Sequence, residues 1–256
     1  MKLIRFKENK TESWGVLDPE NEEIVLRIQG SVFDSWQPGR PLGNIKELDL
    51  MTPCTPRNIV CLAFNYKDLV GKKDLYDEPL VFLKAASTLI NENTAIGKPN
   101  WVSSMWVETE LAIVVSKALY NASAEQASQA ILGVTIANDV TAANLYGRDH
   151  HLARSKSLPT FCPVGSILST DINTENLRIT TKINGKLTQE STTANRILND
   201  AESLSLVSKY IPLLPGDIIL TGTPAGAMDS IVNEGDSVLL EIENIGILSN
   251  SIIATV

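Results

Sequence analysis

The run Trp106-Val107-Glu108-Thr109-Glu110-Leu111-Ala112-Ile113-Val114-Val115 constrains the fold most. β-Branched and aliphatic residues dominate it, which predicts a strand. Residues two apart on a strand share a face. Glu108 and Glu110 should therefore project together, beside Ala112 and Val114, on a half-buried element. Two like charges on such a face are costly unless something neutralises them, and a divalent cation is the simplest neutraliser. The same pattern also fits a solvated edge strand with two surface glutamates. A second apolar run, residues 131–140, ends on Asp139. A carboxylate at the end of a buried strand is well placed to complete a metal site. Neither run contains His or Cys, so the donor set is all oxygen, which suits Mg²⁺ first and then Mn²⁺ or Ca²⁺.

The 256 residues allow one core or two unequal domains. A net charge of -8 with no basic run argues against nucleic acid and against anionic membranes as partners. The N-terminus alternates charge and apolarity, unlike a signal peptide, and no apolar stretch is long enough to span a bilayer. The three cysteines, Cys54, Cys61 and Cys162, lack motif spacing, which suggests reduced thiols in a cytoplasmic protein. Cys61 lies in an apolar run and reads as core; Cys162, between Phe161 and Pro163, has no obvious activating partner.

Along the chain, residues 1–28 read as a small β unit, with a turn at Asp18-Pro19-Glu20-Asn21. The Pro/Gly-rich stretch 37–43 and Pro53-Cys54-Thr55-Pro56 read as breaks, which predicts a small N-terminal β domain over 1–52 and a larger domain over 53–256. Residues 57–64 and 80–83 are predicted strands. Ser123 and Gln126 predict a capping box for a short helix with an apolar stripe of Ala127, Ala130 and Ile131. Asp200 begins a second helix with Leu204, Val207, Tyr210 and Ile211 on one face, ended by Pro212. Asn184-Gly185 predicts a hairpin. Pro215-Gly216-Asp217 and Glu234-Gly235-Asp236 each introduce a strand. Strands and helices do not alternate, which disfavours a doubly wound sheet and leaves an α+β, β-rich fold.

In this order the pieces resemble the fumarylacetoacetate hydrolase family over roughly residues 57 to 254. Asn65-Tyr66-Lys67-Asp68 looks like its first motif and the Glu-Pro-Leu-Val-Phe-Leu-Lys run at 78–84 its second. Glu108-Thr109-Glu110-Leu111-Ala112 is similar to the metal-binding E-x-E-L-A run, and Asn138-Asp139-Val140-Thr141-Ala142 to the run supplying the third carboxylate. Ser155-Lys156-Ser157 resembles the lysine motif. Asn184-Gly185, Pro215-Gly216-Asp217 and residues 221–226 (Thr-Gly-Thr-Pro-Ala-Gly) complete the series. The resemblance implies a mixed β-sandwich roll with strongly bent sheets, a small N-terminal β domain and a homodimer. It also implies a bound Mg²⁺ or Ca²⁺ and chemistry on short 2-oxo acids: hydrolysis of acylpyruvates at a carbon–carbon bond, isomerisation of hydroxy-dienoates, or decarboxylation of oxaloacetate-like acids.

Carried over residue by residue, Glu108, Glu110 and Asp139 become metal ligands, and Lys156 adds a second positive charge or handles a proton. Asn65 and Tyr66 line the substrate pocket, with Phe64 either beside them or in the core. Gly222, Thr223 and Pro224 offer a hydroxyl and backbone N–H groups to a substrate carboxylate. Asp68 is either a further ligand or a turn-capping aspartate. The departures bear on the reaction. Where hydrolytic relatives carry a water-activating histidine and its glutamate partner, this chain has Leu69 and Lys72. Where they carry Ala-Arg-Asp, it has Ala142-Ala143-Asn144. Its only histidines, His150 and His151, lie in the divergent loop over 144–154 and could replace the missing base or be inert.

Overall fold

The computed structural model describes residues 1–71, 78–143 and 147–256. Five strands make up the N-terminal unit: β1 (Lys2–Glu8), β2 (Thr11–Asp18), β3 (Asn21–Gly30), β4 (Trp36–Asn44) and β5 (Asp49–Met51). The first three form a meander, with the predicted turn joining β2 to β3. The Pro/Gly-rich stretch read as a break is in fact strand β4. It lies at the sheet's edge and pairs with β3 through two register shifts. An edge tolerates Pro38 and Pro41, because one row of its backbone N–H groups has no ladder to make.

The remaining elements are β6 (Ile59–Ala63), α1 (Lys67–Val70), β7 (Leu80–Lys84), β8 (Leu89–Asn91), β9 (Ile96–Pro99), β10 (Met105–Trp106), β11 (Thr109–Val115), α2 (Ala124–Ser128), β12 (Ile131–Asn138), β13 (Thr141–Ala142), α3 (Ala153–Lys156), β14 (Cys162–Val164), β15 (Ile167–Ser169), β16 (Arg178–Ile183), β17 (Lys186–Thr192), α4 (Asp200–Tyr210), β18 (Ile218–Leu220), β19 (Ser237–Ile242) and β20 (Gly246–Thr255). A large mixed sheet runs β4-β3-β2-β1-β15-β12-β11-β18-β6-β7, and a smaller one runs β17-β16-β19-β20-β9. Strand β1 pairs with β15, so the N-terminal meander continues the large sheet without interruption.

Strand β11 sits in the middle of the large sheet, between β12 and β18. It is buried on both faces rather than half-buried. Leu111, Ile113 and Val115 join the core between the two sheets, with Val60, Ile136, Ile179, Leu240 and Leu248. Ala112 and Val114 point the other way, into a second core with Ile59, Cys61, Ala137, Leu220 and Leu168. This period-2 alternation sends Glu110 to the second face, where it meets apolar neighbours.

The predicted capping box of Ser123 with Gln126 forms at α2, and a second one, Asn199 with Glu202, starts α4. Ile131, placed in the helical stripe by the sequence reading, belongs to β12 instead. Tyr210 is a second correction. It is 60 % exposed, and its hydroxyl donates to Glu78. A pattern repeating every three residues drifts by about 60° per step around an α-helix, so the stripe through Leu204 and Val207 has left the buried side by Tyr210. Leu206 is buried in its place.

Ile113 is fully buried between the sheets. Ile113→Ala should cost about 2–5 kcal/mol, read as a lower denaturation midpoint with an unchanged slope.

Candidate active site

The site is built where four strands of the large sheet end or begin. The chain bends between β10 and β11, and the Asp139 N–H donates to the Glu108 carbonyl at 3.0 Å. That bond closes the β11–β12 ladder and sets Asp139 against the two glutamates. Glu108, Glu110 and Asp139 each bring a carboxylate oxygen within 4.8 Å of the others. Three buried carboxylates this close repel one another and need cations.

Two lysines answer that need. Lys156 Nζ reaches Asp139 Oδ2 at 2.5 Å and Glu108 Oε2 at 3.0 Å. Lys84 Nζ lies 2.5 Å from Asp139 Oδ1 and donates also to the Val140 carbonyl at 3.2 Å. Lys156 additionally lies 5.3 Å from the centre of the Phe82 ring, within cation–π range. Phe82 and Lys84 are two apart on β7 and share a face. Burial works against the charge of Asp139, but the two ammonium groups outweigh it and hold the carboxyl below the usual aspartate range. Burial also opposes the charge on Lys156, yet Asp139 and Glu108 keep it protonated well beyond ordinary lysine. Among the described residues Glu110 has no lysine bond. Burial, then Asp139 and Glu108, push its carboxyl well above the ordinary value, with Lys156 and the Gly222 N–H (2.7 Å to Oε2) pulling back.

Each of the other residues singled out from the sequence has a definite place. Asn65 is fully buried and engaged: its amide donates to the Thr221 carbonyl at 2.8 Å and accepts from the Leu198 N–H at 2.9 Å. It straps the turn after β6 to the turn after β18. Phe64, just before it, has φ 62, a strained left-handed conformation for an aromatic residue. Tyr66 is also fully buried, and its hydroxyl has no hydrogen-bond partner among the described residues. Gly222 has φ +96, and a Cβ there would meet the Leu62 carbonyl at 3.0 Å, so only glycine brings its N–H to Glu110 in this way.

The hydroxyl of Thr223 is engaged on both sides: Gln189 Nε2 donates to it at 3.1 Å and it donates to the Thr109 carbonyl at 3.3 Å. Gln189 also donates to the Pro224 carbonyl at 2.9 Å. Through Thr181 and Thr109 it ties the smaller sheet to the turn. Asp68 is exposed and accepts from Ser191 and Asn195. Among the described residues the metal-type cluster consists of the other three carboxylates. Leu69 is 39 % exposed on α1. Lys72 and Asn144 lie outside the described residues. His150 and His151 are exposed on the turn ahead of α3. All three cysteines are free and buried, and burial pushes Cys54 and Cys162 up to about 12 and Cys61 well above its ordinary value. None is a poised nucleophile.

Sequence reasoning passed over Lys84 and Asp149. Lys84 ends the apolar run of β7, as Asp139 ends that of β12, and the same argument would have found it. Asp149 accepts from the backbone N–H groups of Arg154 and Ser155 and from the Ser155 hydroxyl at 2.6 Å. It thereby folds the short turn of α3 that presents Lys156, with Leu152 left-handed at its start.

The family model "Fumarylacetoacetate (FAA) hydrolase C-terminal" matches residues 58–253, and "Rv2993c-like, N-terminal" matches residues 1–53. An uncharacterized protein of Methanocaldococcus jannaschii is 39% identical over 250 residues, covering 97% of each chain. The oxaloacetate tautomerase YisK of Bacillus subtilis is 34% identical over 252 residues, covering 91% of this chain and 84% of that one. The solved structure of a 2-hydroxyhepta-2,4-diene-1,7-dioate isomerase from Mycobacterium marinum superposes with a TM-score of 0.87 at 32% identity, covering 100% of this chain and 99% of that one. The chain belongs to the fumarylacetoacetate hydrolase family, whose members are hydrolases, isomerases and tautomerases, and it is an enzyme of that class. Among the described residues no helix is long and apolar enough to cross a membrane.

Asp149→Asn should weaken the turn before Lys156 by about 1–3 kcal/mol at neutral pH, the cost of removing a charged acceptor from buried donors. Burial opposes the Asp149 charge, but the bonds from Ser155 and Arg154 hold its pKa below the ordinary 3.8. A depressed carboxylate stabilises the fold above its ordinary pKa and loses that contribution as pH falls through the folded value. The melting-temperature gap between wild type and variant should therefore narrow in acid, below pH 3.8.

Proposed function

We propose that this enzyme is a divalent-cation-dependent isomerase or tautomerase of short 2-oxo and 2-hydroxy-dienoic acids. The observation that carries the proposal is the buried cluster of Glu108, Glu110 and Asp139 backed by Lys84 and Lys156. Its all-oxygen donor set fits a hard dication, Mg²⁺ first and Mn²⁺ or Ca²⁺ next. When bound, such an ion supplies Lewis-acid polarisation of a 2-oxo acid's carboxylate and keto oxygens.

The chain's own residues do the rest. With all five groups ionised, the cluster and its lysines carry a net charge of minus one. A dication makes that plus one, which favours an anionic substrate. Lys84 and Lys156 are held by Asp139 and Glu108 with their ammonium groups against the cluster, placed to stabilise negative charge growing on the keto oxygen as a carbon-bound proton leaves. On the turn beside Glu110, Thr223 is proposed to meet the substrate carboxylate through its backbone N–H, since the Thr223 hydroxyl is engaged with Gln189 and Thr109 and the Gly222 N–H with Glu110. Asn65 holds that turn in place, and Pro224 is fixed by Gln189. Tyr66, fully buried with a hydroxyl that has no hydrogen-bond partner among the described residues, is proposed to back the substrate pocket. His150 and His151, the chain's only imidazoles, are proposed as the proton carriers.

Carbon–carbon hydrolysis is the second reading, favoured by the family's name. It needs a base holding water, and the position that carries histidine in hydrolytic relatives is Leu69, which moves no proton. The free, buried thiols suit a reducing compartment, so a cytoplasmic location is proposed, and a homodimer is proposed on the family resemblance alone.

The test is incubation of the purified enzyme with oxaloacetate, a hydroxy-dienedioate, acetylpyruvate and fumarylpyruvate, with Mg²⁺ or with chelator. Mg²⁺-dependent enol–keto or double-bond interconversion is expected, abolished by Asp139→Asn. Mg²⁺-dependent cleavage of the acylpyruvates without interconversion would establish hydrolysis instead. The double variant His150→Ala/His151→Ala should lower turnover roughly 10²-fold or more if the pair moves the proton; full turnover would remove that role.

A further inference from the structure

We infer that Trp106 and Thr141 form a dedicated clamp that presents a single oxygen of Glu108 to the cation proposed above. Strands β10 and β13 make a separate two-stranded ladder, in which Trp106 and Thr141 lie directly opposite each other. Both side chains donate to the same atom. Trp106 Nε1 is 2.7 Å and Thr141 Oγ1 is 2.8 Å from Glu108 Oε1. The Thr141 hydroxyl also lies 3.0 Å from the Asp139 backbone carbonyl, so its one proton is shared between that oxygen and the closer Glu108 Oε1. A carboxylate oxygen accepting two hydrogen bonds has used its lone pairs. Oε2, the oxygen that meets Lys156, is left as the one Glu108 offers to the cluster. The Glu108 backbone is held as well, its N–H donating to Asn138 Oδ1 at 3.1 Å.

The ladder's other pair, Met105 opposite Ala142, is buried in the core between the sheets and fixes the clamp to it. The ladder holds two residues per strand, and its remaining bridge joins Trp106 to Ile231. Partners that orient a metal-binding carboxylate fix its rotamer before the ion arrives. Trp106 and Thr141 are thus positioning residues, acting through Glu108. Because the indole is bonded to that carboxylate, Trp106 is also a built-in reporter of the ion.

The test uses full-length wild type, Trp106→Phe and Thr141→Val, with Mn²⁺ as probe and free Mn²⁺ read by electron paramagnetic resonance. Trp106→Phe keeps an aromatic ring without the donor, and Thr141→Val keeps the shape without the hydroxyl. Each should bind Mn²⁺ roughly ten-fold or more weakly, with a melting temperature close to wild type. In wild type, Mn²⁺ or Mg²⁺ should change tryptophan emission, and Trp106→Phe should lose that change while the other three tryptophans remain. Mg²⁺, which does not quench, confirms that the change comes from the bond. Wild-type affinity in both variants would overturn the clamp while leaving the cation site standing. Failure of wild type itself to bind Mn²⁺ would overturn the cation reading and the clamp together.

Discussion

Asp139 is the residue on which the site turns. It is fully buried, yet one oxygen takes Lys84 and the other takes Lys156. Either lysine alone would leave an uncompensated charge in the apolar face of a sheet, where breaking a buried pair costs about 3–5 kcal/mol. The fold is arranged to deliver both. Strand β7 brings Lys84 beside Phe82 from the sheet's far edge, and the Asp149-anchored turn brings Lys156 from a segment outside the sheet. Sheet order, turn and cluster are therefore parts of one electrostatic solution. Among the described residues Glu110 is the carboxylate of the three without a lysine bond, and burial and its neighbours disfavour its charged form.

The second organising element is the strap between turns. Asn65 binds the Thr221 carbonyl, Gly222 binds Glu110, and Gln189 binds Thr223 and Pro224. Three segments far apart in the chain thus lock the geometry around one carboxylate. Loops held this way act as part of the scaffold, which a site needs when small displacements of a reacting group are costly.

Much of this was legible in the sequence, for a physical reason. Glu108, Glu110 and Asp139 are charges inside or at the end of apolar strands, and such charges stand out because burial makes them expensive. Turns carried by Asn184-Gly185 and by Pro215-Gly216-Asp217 were equally plain, since few residues reach the required backbone angles. Lys84 was quoted within the 78–84 motif but given no role, because a lysine after an apolar run is solvent-facing by default. Pro38 and Pro41 concealed β4, because proline marks a break unless the strand is known to be an edge. Gln189 acts through partners fixed only by tertiary folding: its bond to Thr223 spans 34 residues, and no spacing rule encodes it. Tyr210 misled because two turns of a three-residue repeat are too short to expose its drift.

The most direct test of the central claim, that the buried carboxylates are a cation site, is anomalous scattering from crystals soaked in MnCl₂. A single manganese peak bounded by Glu108, Glu110 and Asp139 is expected, and the same soak of Asp139→Asn crystals should lose it. Absence of a peak at the cluster, with manganese found only at surface carboxylates, would contradict the claim and leave Lys84 and Lys156 as the only cations that this site was built to hold.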